Sequence, residues 1–211
     1  MGFSGFSDQA FEFYEGLLAD NTKAYWTAHK ADYEHYVRAP MVALFDALEP
    51  EFGPAKLFRP YRDVRFSKDK SPYKAQQGGH TEQGYYCAID ADGLMVAAGM
   101  YAPSAEQLRG YRAAVDAPGP GQALAAIVER LRADGYQIAG DRLKTRPRGV
   151  ADDHPRLDLL RHRSLYAHVG WPPDPWVHTP EVVTRVRDAW RGLRPLVEWR
   201  NEHIDPADPT P

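Results

Sequence analysis

The segment YYCAIDADGLMVAAGMY, residues 85–101, constrains the fold more than any other part of the sequence. Two apolar, strand-like runs flank Asp90-Ala91-Asp92-Gly93, and a short loop that ends in Asp-Gly between such runs is typical of a β-hairpin. A hairpin joins antiparallel strands, whereas parallel strands need a long crossover connection. The sequence therefore predicts a sheet that is antiparallel in this region.

Helical patterns lie before and after this hairpin instead of alternating with strands. Ser7 and Thr22 open two N-terminal helices, and Pro40 should end or bend the second of them. Ser104 opens a later helix as a capping box with Gln107. A doubly wound parallel sheet would show regular strand–helix alternation. We therefore predict an α+β fold in a single domain, with an antiparallel or mixed sheet and helices packed mainly on one side.

Length and composition limit the possible domain organisation. A chain of 211 residues with 43% hydrophobic residues can bury one substantial core. We expect one globular domain over residues 1–200 and a disordered tail, rich in Pro and Asp, over residues 201–211. Cys87 is the single cysteine, so an intrachain disulfide framework is excluded, and we expect this residue to be buried in a strand.

The charge balance limits the possible partners. A formal net charge of −3 argues against a protein whose whole surface binds nucleic acid, because such domains are strongly basic. The sequence has no apolar run long enough to cross a bilayer, and its first residues lack the features of a secretory signal. We therefore expect a cytoplasmic protein with no membrane partner.

The stretch RDVRFSKDKSPYK, residues 62–74, concentrates positive charge in this slightly acidic chain. Its arginines and lysines face only Asp63 and Asp69. Alternation over residues 57–66 predicts a strand with Arg62 on an inward face. A partly buried guanidinium needs a counter-charge, so Arg62 either pairs with an internal carboxylate or meets a bound anion or solvent in a cleft. The sequence leaves both alternatives open.

Two further segments bear on this stretch. The basic segment LKTRPRG at residues 143–149, with DDHPRLDLLRHR at 152–163, would form one positive concave surface with residues 62–74 if the segments converge in space. Gly78-Gly79-His80 lacks the ending of a phosphate-binding P-loop, and we interpret it as a flexible turn that permits close approach of the chain.

Several of these segments together resemble a known family. NTKAYWTAHKADYEHYV, RDVRFSKDKSPYK, GGHTEQGYYCAID, AAGMYAPSAEQLRGYR and LKTRPRGVADDHPRLDLLRHRSL are similar to the family named domain of unknown function 2461. The resemblance runs from Phe3 to Trp199, which implies a single domain. It also implies that the two basic segments are features of the family. It implies no activity, cofactor or catalytic residue.

The expected site is a cradle for a phosphate or carboxylate group. Arginine offers a planar fork and lysine a point charge for such anions, and serine adds a hydroxyl donor. Tyr73, which lies between Pro72 and Lys74, is expected to be exposed. Asp63 and His154 are the candidates for an acid/base role. The predicted ligand-binding residues are Arg62, Arg65, Ser67, Lys68, Lys70, Tyr73, Lys74, Lys144 and Arg148.

Three functions compete on these residues. The favoured hypothesis is a binding cleft, with or without catalysis, for a phosphorylated or carboxylated small molecule. The alternatives are a nucleic-acid-binding module, in which the cations contact phosphates and Tyr73 stacks on a base, and a docking module for an acidic protein partner. No cofactor is expected, and no metal site, because the histidines and carboxylates lack metal-ligand spacing. The sequence predicts no oligomeric state.

Overall fold

The computed structural model describes residues 2–65 and 67–204. The chain divides into two compact units. The first unit contains the residues up to Val96 together with Gly170–Ala189, and the second contains Ala97–Val169 together with the residues from Trp190 onward. Each unit contains both helices and strands.

The first unit begins with the two predicted helices. Helix α1 is Asp8–Ala19 and helix α2 is Lys23–Asp32. Thr22 is the N-cap of α2, where its hydroxyl oxygen accepts a hydrogen bond from the Tyr25 amide at 3.2 Å. The capping signals in the sequence therefore place the start of both helices correctly.

The chain stays helical through Pro40, where a helix end or bend was predicted. A π-helical segment, Tyr33–Arg38, leads directly into helix α3, Ala39–Phe52, and Pro40 lies in the first turn of α3. The Ala39 amide donates to the Glu34 carbonyl five residues back. Proline is tolerated in the first turn of a helix because its missing amide hydrogen is not required there. The helix therefore does not end at Pro40, so the first of the two predicted alternatives is wrong, and the second, a bend, stays a prediction.

The predicted hairpin is confirmed. Strand β3, Tyr85–Asp90, and strand β4, Gly93–Met100, flank a tight turn in which the Asp92 amide donates to the Asp90 carboxylate at 2.9 Å. Gly93 has a φ of +130°, and a Cβ atom there would lie 2.0 Å from the Trp171 carbonyl oxygen. Only glycine fits this turn without strain.

The strand predicted over residues 57–66 is wrong. Strand β1 is Ala55–Leu57, and the next strand, β2, is Gln76–Thr81. Residues 58–65 are mostly irregular, with one isolated bridge at Tyr61. Pro60 has no amide hydrogen to donate to a ladder. Phe66, the predicted last residue of the strand, lies outside the described residues.

The interpretation of Gly78-Gly79-His80 as a flexible turn is also wrong, because these residues lie in β2. A Cβ atom on Gly78 would lie 2.3 Å from the Tyr86 hydroxyl oxygen, and one on Gly79 would lie 2.8 Å from the Phe45 ring. The two glycines therefore leave room for aromatic side chains that pack on the strand.

The elements after the hairpin begin with the predicted helix, because Ser104 and Gln107 form the predicted capping box. Leu124, Val128 and Leu131 recur at helical spacing and are buried on one face of the next helix. The elements after β4 are α4 (Ala105–Asp116), α5 (Pro118–Ala133), β5 (Gln137–Ala139), α6 (Leu157–Leu160), β6 (Leu165–Trp171), a 3₁₀ turn (Pro175–His178) and α7 (Glu181–His203).

The strands form a six-stranded antiparallel sheet in the order β1-β2-β3-β4-β6-β5. The predicted α+β fold is therefore confirmed. Cys87 is fully buried in β3, as expected, and burial raises the pKa of its thiol. None of the helices in the described ranges is long and apolar enough to span a bilayer.

The domain limits need one correction. The predicted tail began at residue 201, but Asn201, Glu202 and His203 form the last turn of α7. Residues 205–211, the rest of that tail, lie outside the described residues. The single globular domain over residues 1–200 stays a prediction.

Candidate functional site

Residues 62–74, called here the basic loop, are closed at their base by backbone pairing. Tyr61 and Tyr73 form an isolated antiparallel bridge. The Arg62 amide donates to the Pro72 carbonyl at 2.9 Å, and the Lys74 amide donates to the Pro60 carbonyl at 2.8 Å. Both prolines act only as acceptors, as residues without an amide hydrogen must. These hydrogen bonds therefore hold the two ends of the loop together at a fixed position in the first unit.

Asn21, the residue that follows α1 by two positions, clamps the end of the basic loop. Its Nδ2 donates to the Tyr73 carbonyl at 3.0 Å, and its Oδ1 accepts from the Tyr73 amide at 3.1 Å. A side-chain amide can satisfy both groups of one residue because it carries a donor and an acceptor on separate atoms. The clamp fixes the backbone beside Lys74, across a sequence separation of 52 residues.

Tyr73 is buried, so the prediction that it is exposed is wrong. Only 5% of its surface is accessible. Its ring is stacked on Trp26, with ring centroids 4.4 Å apart and an angle of 8° between the planes. Trp26 therefore covers one face of the Tyr73 ring. A nucleic-acid base, which the nucleic-acid alternative expected to stack on Tyr73, could not stack on that face.

Arg62 is paired internally, which was one of the two alternatives left open. Its Nη1 donates to the Asp69 carboxylate, whose other oxygen accepts from the Ser71 amide at 2.9 Å and from the Ser71 hydroxyl at 2.7 Å. The bond from Arg62, followed by the two from Ser71, holds the pKa of Asp69 well below its usual range. Asp69 is therefore a fixed internal counter-charge of the loop.

Arg65 and Lys70 are also engaged within the basic loop. The Arg65 guanidinium donates to the Asp63 carboxylate at 2.9 and 2.6 Å, and its bonds lower the pKa of Asp63. Lys70 Nζ donates to the Val64 carbonyl at 3.0 Å. Asp63, the first acid/base candidate, is thus the counter-ion of an exposed arginine.

Ser67 and Lys68 lie between Arg65 and Lys70 in the basic loop. The Ser67 amide donates to the Val64 carbonyl at 3.3 Å, and the Ser67 side chain is half-buried. Lys68 is exposed and pairs with no carboxylate in the described part of the chain. Of the five cations of the predicted cradle, Arg62 and Lys74 line one cavity, and the cradle itself stays a prediction.

That cavity has a volume of about 400 Å³ and lies wholly within the first unit. We call it the Arg62–Lys74 cavity. Its walls combine the end of α1, the basic loop and the start of β2, and they include both apolar and polar side chains. The lining residues are Leu17, Leu18, Asn21, Arg62, Asp69, Ser71, Tyr73, Lys74, Ala75 and Gln76.

Lys74 is the cation of this cavity that is not neutralised. Its Nζ makes neither an ion pair nor a hydrogen bond with a residue in the described ranges, and it lies 5.0 Å from the centroid of the Phe58 ring. Burial, followed by the nearby positive charge of Arg59, lowers the pKa of Lys74. The ammonium is therefore partly desolvated without a carboxylate to compensate.

Arg62 keeps unused donors in the same cavity. A guanidinium has five N–H donors, and the side-chain donors of Arg62 make one bond to the described residues, the bond to Asp69. The Arg62 side chain is 29% exposed. Arg62 and Lys74 thus provide two positive charges against one carboxylate, Asp69, whose oxygens are already engaged.

A second cavity of the first unit lacks this imbalance. It has a volume of about 350 Å³ and lies between α3 and β1. Its charged lining residues are two cations, Arg38 and Lys56, and two carboxylates, Asp46 and Glu49. Since these charges balance, the cavity has no net attraction for an anion.

The second predicted basic segment lies in the second unit. Lys144 is exposed, and its backbone carbonyl accepts from Arg161 at 2.8 Å. Arg148 is exposed and forms no ion pair with the described residues. Several arginines of this segment form ion pairs within the second unit: Arg142 with Asp158, Arg146 with Asp152, and Arg163 with Asp141. The convergence of the two basic segments stays a prediction.

His154, the second acid/base candidate, has both ring nitrogens engaged. Its Nδ1 accepts from the Arg156 amide at 3.1 Å, and its Nε2 lies 3.2 Å from an Asp116 carboxylate oxygen. A neutral ring that accepts at Nδ1 carries its hydrogen on Nε2, where it can donate to Asp116. The His154 ring therefore connects its own loop, at Arg156, to the end of α4, at Asp116.

Metal chemistry has no prepared site in the parts of the chain that the structure describes. Over residues 2–65 and 67–204, no group of three or more His, Cys, Asp or Glu residues comes together in a way that could hold an ion.

Sequence reasoning missed most of the cavity wall. Leu17, Leu18, Asn21 and Gln76 were not among the predicted ligand-binding residues. Asp69 was predicted only as one of the two carboxylates that the cations of the stretch face. One signal was present for Asn21, because asparagine at a helix end often bonds to a nearby backbone. No local pattern identifies a partner 52 residues away.

Comparison with known proteins gives one result. Residues 9–199 match the family described as "Conserved hypothetical protein (DUF2461)". No curated protein and no solved structure gives a significant match.

Proposed function

We propose that this chain, which belongs to the DUF2461 family of conserved hypothetical proteins, binds a small carboxylated or phosphorylated molecule in the Arg62–Lys74 cavity. The observation that carries the proposal is the state of Lys74. A partly desolvated ammonium without a counter-ion is costly. A bound anion would supply the missing charge.

Arg62 supports the same ligand chemistry. Its unused N–H donors can bind one carboxylate or phosphate group in a bidentate manner. Asn21, Ser71 and Gln76 add polar groups to the wall, while Leu17 and Leu18 provide an apolar surface. A few polar groups set in a partly apolar wall are typical of a small-molecule site.

The charge count favours a ligand with little negative charge. Two cations and one carboxylate line the cavity, which leaves a formal charge of one positive unit. Asp69 cannot leave easily, because Arg62 and both donors of Ser71 hold it. A monocarboxylate or a singly charged phosphate ester therefore complements the site better than a polyanion such as a nucleic acid.

The proposal is tested by isothermal titration calorimetry with acetate, lactate and inorganic phosphate. We expect the Lys74→Met variant to bind about tenfold or more weakly than the parent, since a hydrogen bond to a charged group contributes about 1.5–3 kcal/mol. The Lys68→Met variant is the matched control, because Lys68 is exposed and does not line the cavity. Its affinity should be unchanged. Equal weakening in both variants, or no binding by the parent, would contradict the proposal.

The Asp69→Asn variant tests whether the negative charge of Asp69 weakens the binding of an anion in the cavity. Asparagine keeps an oxygen that can accept from Ser71 but removes the negative charge beside the ligand. We expect tighter binding than in the parent, by a factor of several, because like charges a few ångströms apart disfavour each other. Asp63→Asn, which removes a carboxylate of the same loop outside the cavity, should leave the affinity unchanged. Weaker binding by Asp69→Asn would show that Asp69 helps to hold the ligand.

A further inference from the structure

We propose that the Lys74 amine forms a reversible imine with small 2-oxo carboxylates, whose carboxylate group is held by Arg62 in the same cavity. This inference rests on the proposed anion-binding function and adds a covalent step to it. The ligand class is thereby narrowed from small anions in general to those with a ketone or aldehyde carbon next to the carboxylate.

The surroundings of Lys74 increase the fraction of neutral, nucleophilic amine in equilibrium with the ammonium. No carboxylate in the described ranges forms an ion pair with its Nζ, and the one contact that favours the ammonium among the described residues is with the Phe58 ring, whose centroid lies 5.0 Å away. Burial and the positive charge of Arg59 both lower the pKa of this amine. Desolvation and a neighbouring cation are two of the ways in which proteins activate a lysine for imine formation.

The other lysines of the basic loop lack this combination. Lys70 Nζ donates to the Val64 carbonyl, and its neighbour Lys68 is exposed. Neither residue lines the cavity. Among the three lysines of the loop, Lys74 therefore combines three features. It lines a cavity large enough for a ligand, Arg62 lines the same cavity, and its amine is partly desolvated.

Arg62 determines which carbonyl compounds would react. Its Nη1 donates one hydrogen bond to Asp69, and its other N–H donors can bind a carboxylate. In a 2-oxo acid the carbonyl carbon is bonded directly to the carboxylate carbon. Binding of the carboxylate at Arg62 therefore confines the carbonyl group to the cavity that Lys74 lines. Leu17 and Leu18 can contact a short hydrocarbon part of the same molecule.

The chemistry balances without an oxidant or a reductant. The lone pair of neutral Nζ attacks the carbonyl carbon, a C–N bond forms, and the carbonyl π bond breaks. A proton moves from nitrogen to oxygen and gives a carbinolamine. Loss of water then produces the C=N bond. Addition of water reverses each step and returns the amine and the 2-oxo acid.

The experiment is reductive trapping of the full chain with pyruvate and sodium cyanoborohydride, followed by intact-mass analysis and peptide mapping. The hydride converts the imine into a stable secondary amine. We expect a single adduct on the peptide that contains Lys74, formed about tenfold or more faster than any adduct on Lys68. The excess corresponds to about one charge-assisted hydrogen bond from the ligand. Lys74→Met should lose the adduct, and Lys68→Met should keep it.

Two controls separate a directed reaction from general lysine chemistry. Lactate, which has the carboxylate but no carbonyl, should give no adduct and should slow the trapping of pyruvate. Arg62→Met should slow the trapping of pyruvate about tenfold and should affect the trapping of acetone less, because acetone has no carboxylate. Equilibrium unfolding in urea shows whether this variant keeps its fold. Adducts spread evenly over surface lysines, or pyruvate trapping that persists in Lys74→Met, would overturn the inference.

The result distinguishes this inference from the proposed function. If lactate binds in a Lys74-dependent manner by calorimetry but pyruvate gives no adduct, imine formation is wrong and anion binding stands. If lactate does not bind and no adduct forms, both are wrong. If a Lys74 adduct forms and does not depend on Arg62, the lysine is reactive but the assignment to 2-oxo carboxylates is wrong.

Discussion

Replacement of Tyr73 by alanine is expected to lower the free energy of unfolding by about 3–5 kcal/mol, the usual cost of removing a large buried aromatic ring. Tyr73 is 5% exposed and is stacked on Trp26 at 4.4 Å, with the Tyr61 ring at 5.5 Å. The substitution leaves a void against Trp26 that the fixed base of the basic loop cannot close. Equilibrium unfolding in urea, followed by tryptophan fluorescence, measures the effect.

Tyr73→Phe is the matched control. The Tyr73 hydroxyl makes no hydrogen bond with a described residue, so this variant keeps every recorded contact of the ring. We expect it to change the free energy of unfolding by less than about 1 kcal/mol. If Tyr73→Ala were as stable as Tyr73→Phe, the ring would be a surface group, and its original assignment as an exposed ligand contact would regain support.

Replacement of Asn21 by alanine is expected to cost about 2–3 kcal/mol of unfolding free energy. The change removes two hydrogen bonds and leaves the amide and the carbonyl of Tyr73 without their partner. An unsatisfied buried polar group costs more than a hydrogen bond contributes on average. The same urea titration measures this loss, and calorimetry with lactate should show weaker binding, because Lys74 adjoins the clamped residue.

Two variants control for effects on the neighbouring helix. Thr22→Ala removes only the N-cap bond of α2 and should cost about 1 kcal/mol without weakening lactate binding. Asn21→Asp keeps the acceptor for the Tyr73 amide but loses the donor to its carbonyl. We expect it also to be destabilised, because a carboxylate then faces a carbonyl oxygen. An Asn21→Ala variant as stable as the parent would contradict the clamp.

Local patterns predicted the elements whose causes are local. The hairpin around Asp90 and Gly93 depends on a turn that only a few residues can make. The capping box at Ser104 and Gln107 is likewise complete within four residues. These features were predicted correctly because the interactions that create them lie within the window that a pattern covers.

The failures have causes elsewhere in the chain. Alternation over residues 57–66 resembles a strand, but Pro60 interrupts the ladder and the loop pairs with its own far end at Pro72. Tyr73 has charged and proline neighbours, which indicate exposure. Its burial comes from Trp26 and Asn21 on other elements. Sequence spacing could not have identified those contacts.

The charge of the basic loop was predicted, but its distribution was not. Asp63 and Asp69 are the only carboxylates within the loop, and each holds one arginine. This local pairing neutralises the two arginines, while Lys68, Lys70 and Lys74 keep their charge. Of these three lysines, Lys74 lines the Arg62–Lys74 cavity, and its amide donates to the Pro60 carbonyl, which fixes its backbone. The candidate site is therefore smaller and less basic than the sequence predicted.

The most direct test is a crystal structure of the protein grown with lactate, compared with one of the Lys74→Met variant grown under the same conditions. The account predicts electron density for lactate in the Arg62–Lys74 cavity, with its carboxylate in hydrogen-bond contact with both side chains, and a loss of that density in the variant. A parent crystal in which the cavity holds only water at a high lactate concentration, or in which lactate is bound elsewhere, would contradict it.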